Sequence, residues 1–286
     1  MKKTLAGSAS SIAAKILIRL LLIFWALMII FPVVWMFYTS MKTSGEFMTN
    51  QWALPSKIRF DNYVTAWKAA KFSTYFVNSL FIAIVATGLH LAFVSTTSYA
   101  LVKYNFFGKK FLNSFYFAAI MIPAALTLIP LYMQVYSISA ALPNNRLMLC
   151  VIYAAQAIPM NTFLLTKFVG NINNAILEGA EIDGANEYQK FFYIVLPSVK
   201  TMLVFIMLTN AIGNFNEYTT ALTFLKENKY TIAVGINSIR TEAQISNEYG
   251  LVFASIVLLL LPVLVMYTVF QSAITKGIDM SEGVKG

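Results

Sequence analysis

This 286-residue chain has one cysteine, one histidine and only 12 acidic residues, and each scarcity excludes something. A single thiol, Cys150, makes no internal disulfide and no cysteine cluster for a metal. His90 is the lone imidazole, and the chain has no G-x-S-x-G and no H-E-x-x-H. Hydrolytic and metal chemistry therefore lack their usual donors, and the expectation is that the chain is no enzyme. No G-x-x-x-x-G-K-[ST] occurs either. "FGKK" has the Gly-Lys pair without the preceding glycine or the following hydroxyl, so no P-loop is available for ATP. Charge is scarce overall, at 12% of residues, where soluble domains carry about a quarter.

What fills the space is apolar. The chain is 58% hydrophobic, with a mean hydropathy of +0.68. A bilayer core tolerates few ionised groups, and about 20 apolar residues cross it as a helix. Barrels read as short alternating segments rather than long apolar runs. The expected fold is therefore an all-α polytopic membrane protein. Runs at residues 20–41, 72–102, 111–145, 147–166, a fifth after Pro197 and a sixth at 249–275 predict six transmembrane helices. In the third run, one helix is followed by a loop broken at Pro143. The first run is too long for a signal h-region and has no A-x-A site after it. Pro123, Pro130 and Pro159 are read as bends in spans.

The net charge of +9 could mean nucleic acid in a soluble protein. Here the basic residues sit between apolar runs, so orientation and lipid headgroups are the better reading. With the N-terminus inside, the inner segments hold twelve Lys and Arg and the outer segments nine. The basic tail and "KYNFFGKK" favour that choice. Both termini are then cytoplasmic, with outer loops at about 43–71 and 226–248. No linker or repeat divides the chain, so residues 1–286 are expected to form one membrane domain.

One polar block interrupts the grease: "EGAEIDGANEYQKFFYIVLPSVK", on the cytoplasmic side by that orientation. Residues 173–197 read as helix, turn, helix. Asn173 or Asn174 can cap the first helix, and Gly184 suits its end, where positive φ is tolerated. Asn186 with Gln189 resembles a capping box for the second. Phe191, Phe192 and Ile194 are placed to fasten that second helix to the bundle. In the bland reading, the block is an amphipathic connector lying on the membrane.

The spacing carries more. Glu178-Gly179-Ala180, Gly184 after three residues and Ile194-x-Leu196-Pro197 after nine more resemble the "EAA" loop of ABC importer permeases, with Gly179 in place of an alanine. A proline usual shortly before that motif is absent. "DNYVTAW", "NSLFIA", "SYALVKYNFFGKK", "MIPAALTLIPLYM", "NFNEYTTALTF" and the ending "KGIDMSEGVKG" resemble the carbohydrate-type permeases, similar to the smaller permease of the maltose importer. Phe215 stands where tryptophan is usual. The resemblance implies a coupling-helix loop at about 170–197, between helices 4 and 5. Glu178, Gly179, Ala180, Asp183 and Gly184 would dock there on a cytoplasmic ATPase. It implies a second homologous permease, an ATPase dimer and an extracytoplasmic sugar-binding protein as partners, in a bacterial cell membrane. No cofactor would be bound by this chain, since ATP and Mg would sit on the ATPase. Sugars are the substrate class by resemblance, with glycerol phosphates and polyols open. A non-ABC secondary transporter is the remaining alternative.

Asn210, Asn214 and Glu217 recur at i, i+4 and i+7 on the fifth helix, so they are expected to share one face. Thr209, Gly213, Asn216 and Thr220 form a second small or polar face. Two readings stand: a translocation path lined by this helix, or helix–helix glue. An interfacial anchor is a third for Glu217. His90 is read as a satisfied packing residue.

Overall fold

The computed structural model describes residues 3–140 and 142–282, with side chains from 14 to 271 apart from residues 124 and 141. The ending read at 276–286 lies outside the described side chains. Among described residues the fold is helical with no strand. Three helices can cross a bilayer unbroken: Ala14–Thr39 within α1, Phe72–Lys103 and Tyr249–Gln271. Three bent pairs reach that length jointly, which gives six crossings if each pair is one span. The first span has no buried residue in its apolar window. Its surface is left for lipid or another chain.

The residues group into two compact units. The first holds the described residues up to Ala69 together with Ile239–Leu258. It contains α1 (Lys3–Thr39), α2 (Ser44–Thr49) and α3 (Asp61–Ala69). The loop after α1 is more ordered than its composition announces. Thr43 and Glu46 make a reciprocal capping box, and the Glu46 carboxylate also takes the Ser56 N–H and hydroxyl. Lys42 is buried yet ends on carbonyls, donating to Gln51 at 2.9 Å. Rings of Trp35, Phe47, Tyr249 and Phe253 pack together beside it. Gly250 is required there, because a Cβ would sit 2.4 Å from the Lys42 carbonyl oxygen.

The donors on Glu46 hold its carboxyl down to about 2, with the Ser56 hydroxyl foremost. A depressed folded-state value gives stabilisation that is present above the ordinary carboxyl range and lost as pH falls through it. Tryptophan emission, with Trp52 stacked on Phe31, should therefore stay constant from pH 8 to 5. It should shift as pH falls from about 4.5 towards 2, and Glu46→Gln should remove the transition.

The second unit runs from Ala70 to Ser238, with the described residues from Leu259 on. Its central element is α4 (Phe72–Lys103), which packs on α7 (Arg146–Gln156), α8 (Ile158–Gly170) and α12 (Lys200–Asn216). Between α4 and α7 lie α5 (Lys109–Ile120) and α6 (Ala124–Ile138). Two expected spans are corrected here. The third is two helices, broken before Pro123 rather than ended at Pro143. Proline lacks the N–H that would continue the first helix, and its fixed φ starts the second. Pro130 stays inside α6. The fourth run bends by 49° between α7 and α8, where Pro159 falls in the first turn of α8.

After the polar block come α12, α13 (Thr219–Phe224), a short 3₁₀ turn and α14 (Ile232–Ile245), then α15 (Tyr249–Glu282). Residues 226–248, expected as a loop, are thus largely a helix. Ile232, Val234 and Ile236 are buried in it while Glu242 and Glu248 stay exposed. Mixed charge at one end hid the apolar face at the other.

Candidate functional site

The polar block folds as local rules dictate. Asn173 caps α9 (Asn174–Ile182), accepting the Ala175 N–H at 3.0 Å. The helix ends on Gly184 at φ +85°. The Ala185 N–H returns to Ala180 O at 2.8 Å and the Gly184 N–H to Glu181 O at 3.0 Å, which is a Schellman closure. Asn186 and Gln189 then exchange bonds of 2.9 and 2.8 Å as a capping box for α10 (Glu187–Gln189). The run continues as a π-helical stretch, Lys190–Val195, and α11 (Leu196–Ser198). It meets α12 at 75°. The elbow therefore turns sharply into the span.

Glu178, Asp183 and Gly184 are exposed on this elbow, and Gly179 and Ala180 half-buried. Leu177 anchors α9 inward. Of the three residues expected to fasten the second limb, Phe191 is buried and Ile194 half-buried, but Phe192 is exposed. The π-helical turn carries it outward with Tyr193. Ile182, Tyr188 and Tyr193 are also widely exposed. Asp183, Gly184, Ala185, Gln189, Tyr193 and Ile194 line a hollow of about 290 Å³. The polar turn thus leaves the apolar surface of Ile182, Tyr188 and Tyr193 open.

A clamp that the sequence reading missed holds the elbow to the end of α4. The Glu187 carboxylate accepts from the Tyr99 hydroxyl at 2.9 Å, from the Tyr104 hydroxyl and from the Lys190 ammonium. Lys190 also pairs with Glu181 at 3.1 Å. Tyr99 and Phe191 rings lie 5.4 Å apart. The i,i+3 pair Glu187–Lys190 was the available signal, but nothing local tied it to two tyrosines some 85 residues earlier.

Deeper in the unit, the break between α7 and α8 faces the end of α12 across a cleft of about 380 Å³. Asn210, Asn214 and Glu217 all line it, with Tyr153, Gln156, Asn161, Thr209 and Gly213. The route to that grouping differs from the expected helical face. α12 stops at Asn216, and Glu217 is extended at φ −68°, ψ 126°. Its carboxylate accepts the Thr220 N–H at 2.8 Å, the Ala221 N–H at 3.0 Å and the Tyr153 hydroxyl at 2.5 Å. A side chain that caps the next helix has left its own, as acidic residues do at helix starts. Of the second face, Thr209 and Gly213 reach the cleft, whereas Asn216 is exposed outside it and Thr220 is buried. Phe215 is buried with its ring edge-on to Phe76.

Asn210 is tied to α4: the Thr87 hydroxyl donates to its Oδ1 at 3.1 Å, and Asn214 Nδ2 donates to the same oxygen at 2.9 Å. His90 is fully buried, with Nδ1 2.8 Å from the Ala154 carbonyl oxygen and Nε2 2.7 Å from Asn161 Nδ2. No group of His, Cys, Asp and Glu that could hold a metal occurs among the described residues.

The elbow and the cleft both lie in the part of the chain, residues 88–279, that matches the family model "Binding-protein-dependent transport system inner membrane component". The chain belongs to that family. Its members are permease components, with hydrolysis left to a separate ATPase subunit, and they work with a substrate-binding protein. The chain is 29% identical over 260 residues to the diacetylchitobiose uptake system permease protein NgcG of Streptomyces coelicolor, covering 91% of this chain and 85% of that one. It is 29% identical to the arabinooligosaccharides transport system permease protein AraQ of Halalkalibacterium halodurans, with 92% and 94% covered. A bacterial ABC transporter that imports the acidic polysaccharide alginate has the same fold. Its TM-score is 0.77 at 23% identity, over 92% of this chain and 97% of that one.

Proposed function

We propose that this chain is one of two permease subunits of an ATP-driven importer for sugars or oligosaccharides. It couples to an ATPase dimer through Glu178, Gly179, Ala180, Asp183 and Gly184, and it lines part of the path with Asn210, Asn214 and Glu217. The observation that carries this is the elbow. Its turn is closed by its own backbone, and its exposed acid, small residues and apolar rim are left for another protein. The relatives named for oligosaccharide uptake support the solute class. ATP and Mg belong to the partner ATPases, and this chain binds neither. Both termini lie in the cytoplasm, the side on which an ATPase could reach the elbow.

Two measurements test this together. The chain should co-purify with an ABC ATPase and a second permease, and the complex should take up a neutral oligosaccharide only with ATP and the binding protein. In a Cys150→Ser background, Tyr188→Cys sits on the elbow at 78% exposure. It should resist an impermeant thiol reagent in intact cells and react after the cells are opened. Labelling in intact cells reverses the orientation.

A further inference from the structure

The cleft holds a set of polar atoms whose orientation the protein dictates. A carbonyl oxygen only accepts, so His90 Nδ1, 2.8 Å from Ala154 O, must carry the proton. Nε2 is then an acceptor, and only the NH₂ of Asn161 can meet it at 2.7 Å. That sets the amide: Oδ1 of Asn161 is left without a partner among the described residues, on a side chain that lines the cleft. Asn210 stands in the opposite sense. Its Oδ1 already receives Thr87 and Asn214, so its Nδ2 is the unpartnered end, on a side chain only 8% exposed. Asn214 spends its Nδ2 on Asn210 and, at 3.5 Å, on Thr87, which leaves its Oδ1 over. Three amide ends without a partner among the described residues, on side chains that line one cleft, mark a place where something polar arrives.

We propose that Asn161, Asn210 and Asn214 form a subsite that reads hydroxyl groups of an uncharged solute, with His90 as the positioning residue for Asn161. The proposal rests on the reading that the cleft belongs to the translocation path. Two acceptors and a donor on one cleft suit a hydroxyl, which gives one hydrogen bond and takes others. A phosphate or carboxylate needs donors and a cation. No Lys or Arg lines the cleft, and its one carboxyl group is that of Glu217. Neutral sugars or polyols fit, and a phosphate ester does not.

The test uses the complete transporter in proteoliposomes: both permeases, the ATPase and the binding protein. The probes are labelled diacetylchitobiose, maltose and raffinose, with glycerol 3-phosphate as the anionic comparator. Uptake and ATP hydrolysis are followed together. Thr209→Cys in the Cys150→Ser background addresses the path, because Thr209 lines the cleft while its hydroxyl is spent on Phe205 O. Block of uptake by a hydrophilic thiol reagent supports the path reading. Absence of block overturns that reading and the subsite with it. Where block is seen, Asn161→Leu and Asn210→Leu should each raise the KM of the neutral probe roughly three- to tenfold, the worth of one neutral hydrogen bond. His90→Leu should match Asn161→Leu. His90→Gln offers an amide oxygen in place of Nε2 and should restore uptake to within about twofold of the parent, a gap smaller than one such bond. An unchanged KM in both leucine variants overturns the subsite and leaves the path standing. Equal loss in His90→Gln and His90→Leu makes His90 structural and overturns its positioning role. Parental uptake of the phosphate ester overturns the solute class.

Discussion

Glu217→Leu is expected to destabilise the subunit by about 3–9 kcal/mol, because it strips an acceptor from three donors at once and each buried orphan costs about 1–3 kcal/mol. The three are the Tyr153 hydroxyl and the Thr220 and Ala221 amides. Tyr153 is 1% exposed, so water cannot replace what leucine removes. Glu217→Gln keeps one oxygen for the amides and should fall between leucine and the parent. Tyr153→Phe deletes a single donor and should cost about 1 kcal/mol. The measurement is the apparent Tm of the detergent-solubilised complex, with size-exclusion recovery after heating. A leucine variant as stable as the parent would show that the carboxylate is not a cap. The ordering Leu, Gln, Phe separates capping from a path role, since a residue that only met solute would change uptake without moving Tm.

That prediction differs from what the sequence invites. Asn210, Asn214 and Glu217 at i, i+4 and i+7 look like one helical stripe, and for the two asparagines the helix provides it. Glu217 departs because helix spacing says nothing about where a helix ends when no glycine or proline marks the place. "NFNEYTT" has neither. The elbow was far more legible. Asn173, Gly184, Asn186 and Gln189 obey rules that act over five residues or fewer, and each occupies the position those rules assign. The bend at Ala157 was legible in Pro159, whereas the 75° turn at Val199 was not, because only tertiary packing chooses that angle. The Glu187 clamp joins residues 83 and 88 apart, beyond any local pattern. α4 carries both that clamp and, at Thr87 and His90, the polar contacts of the cleft. Tyr99 lies twelve residues beyond Thr87, or about 18 Å along a helix at 1.5 Å per residue. One rigid element thus touches both the proposed docking elbow and the proposed path.

Glu178→Lys is expected to lower uptake at least tenfold, about 1.4 kcal/mol of coupling, while the chain inserts and folds as before. The second half follows from the structure. Glu178 is exposed and makes no hydrogen bond or ion pair with any described residue, so the fold loses nothing when its charge is reversed. The first half follows from what surrounds it. A Cβ built on Gly179 meets nothing within 4 Å, so the chain's own packing does not demand a small residue there. A small residue that the chain does not need, beside an unpaired acid, is what a surface closing from outside would require. Reversing a charge in such a contact places like charges together, which costs several kcal/mol where the pair is desolvated. Gly179 supplies the control. Gly179→Ala should fold well and gain about 1 kcal/mol of helix propensity, with uptake retained. Gly179→Trp, whose Cβ enters open space, should still insert, which size-exclusion recovery checks, yet lose ATPase pull-down and uptake together. Those two substitutions separate steric docking from charge pairing. If Glu178→Lys retains the ATPase in pull-down and transports at the parental rate, the elbow is a connector lying on the membrane, and coupling must run through another cytoplasmic surface.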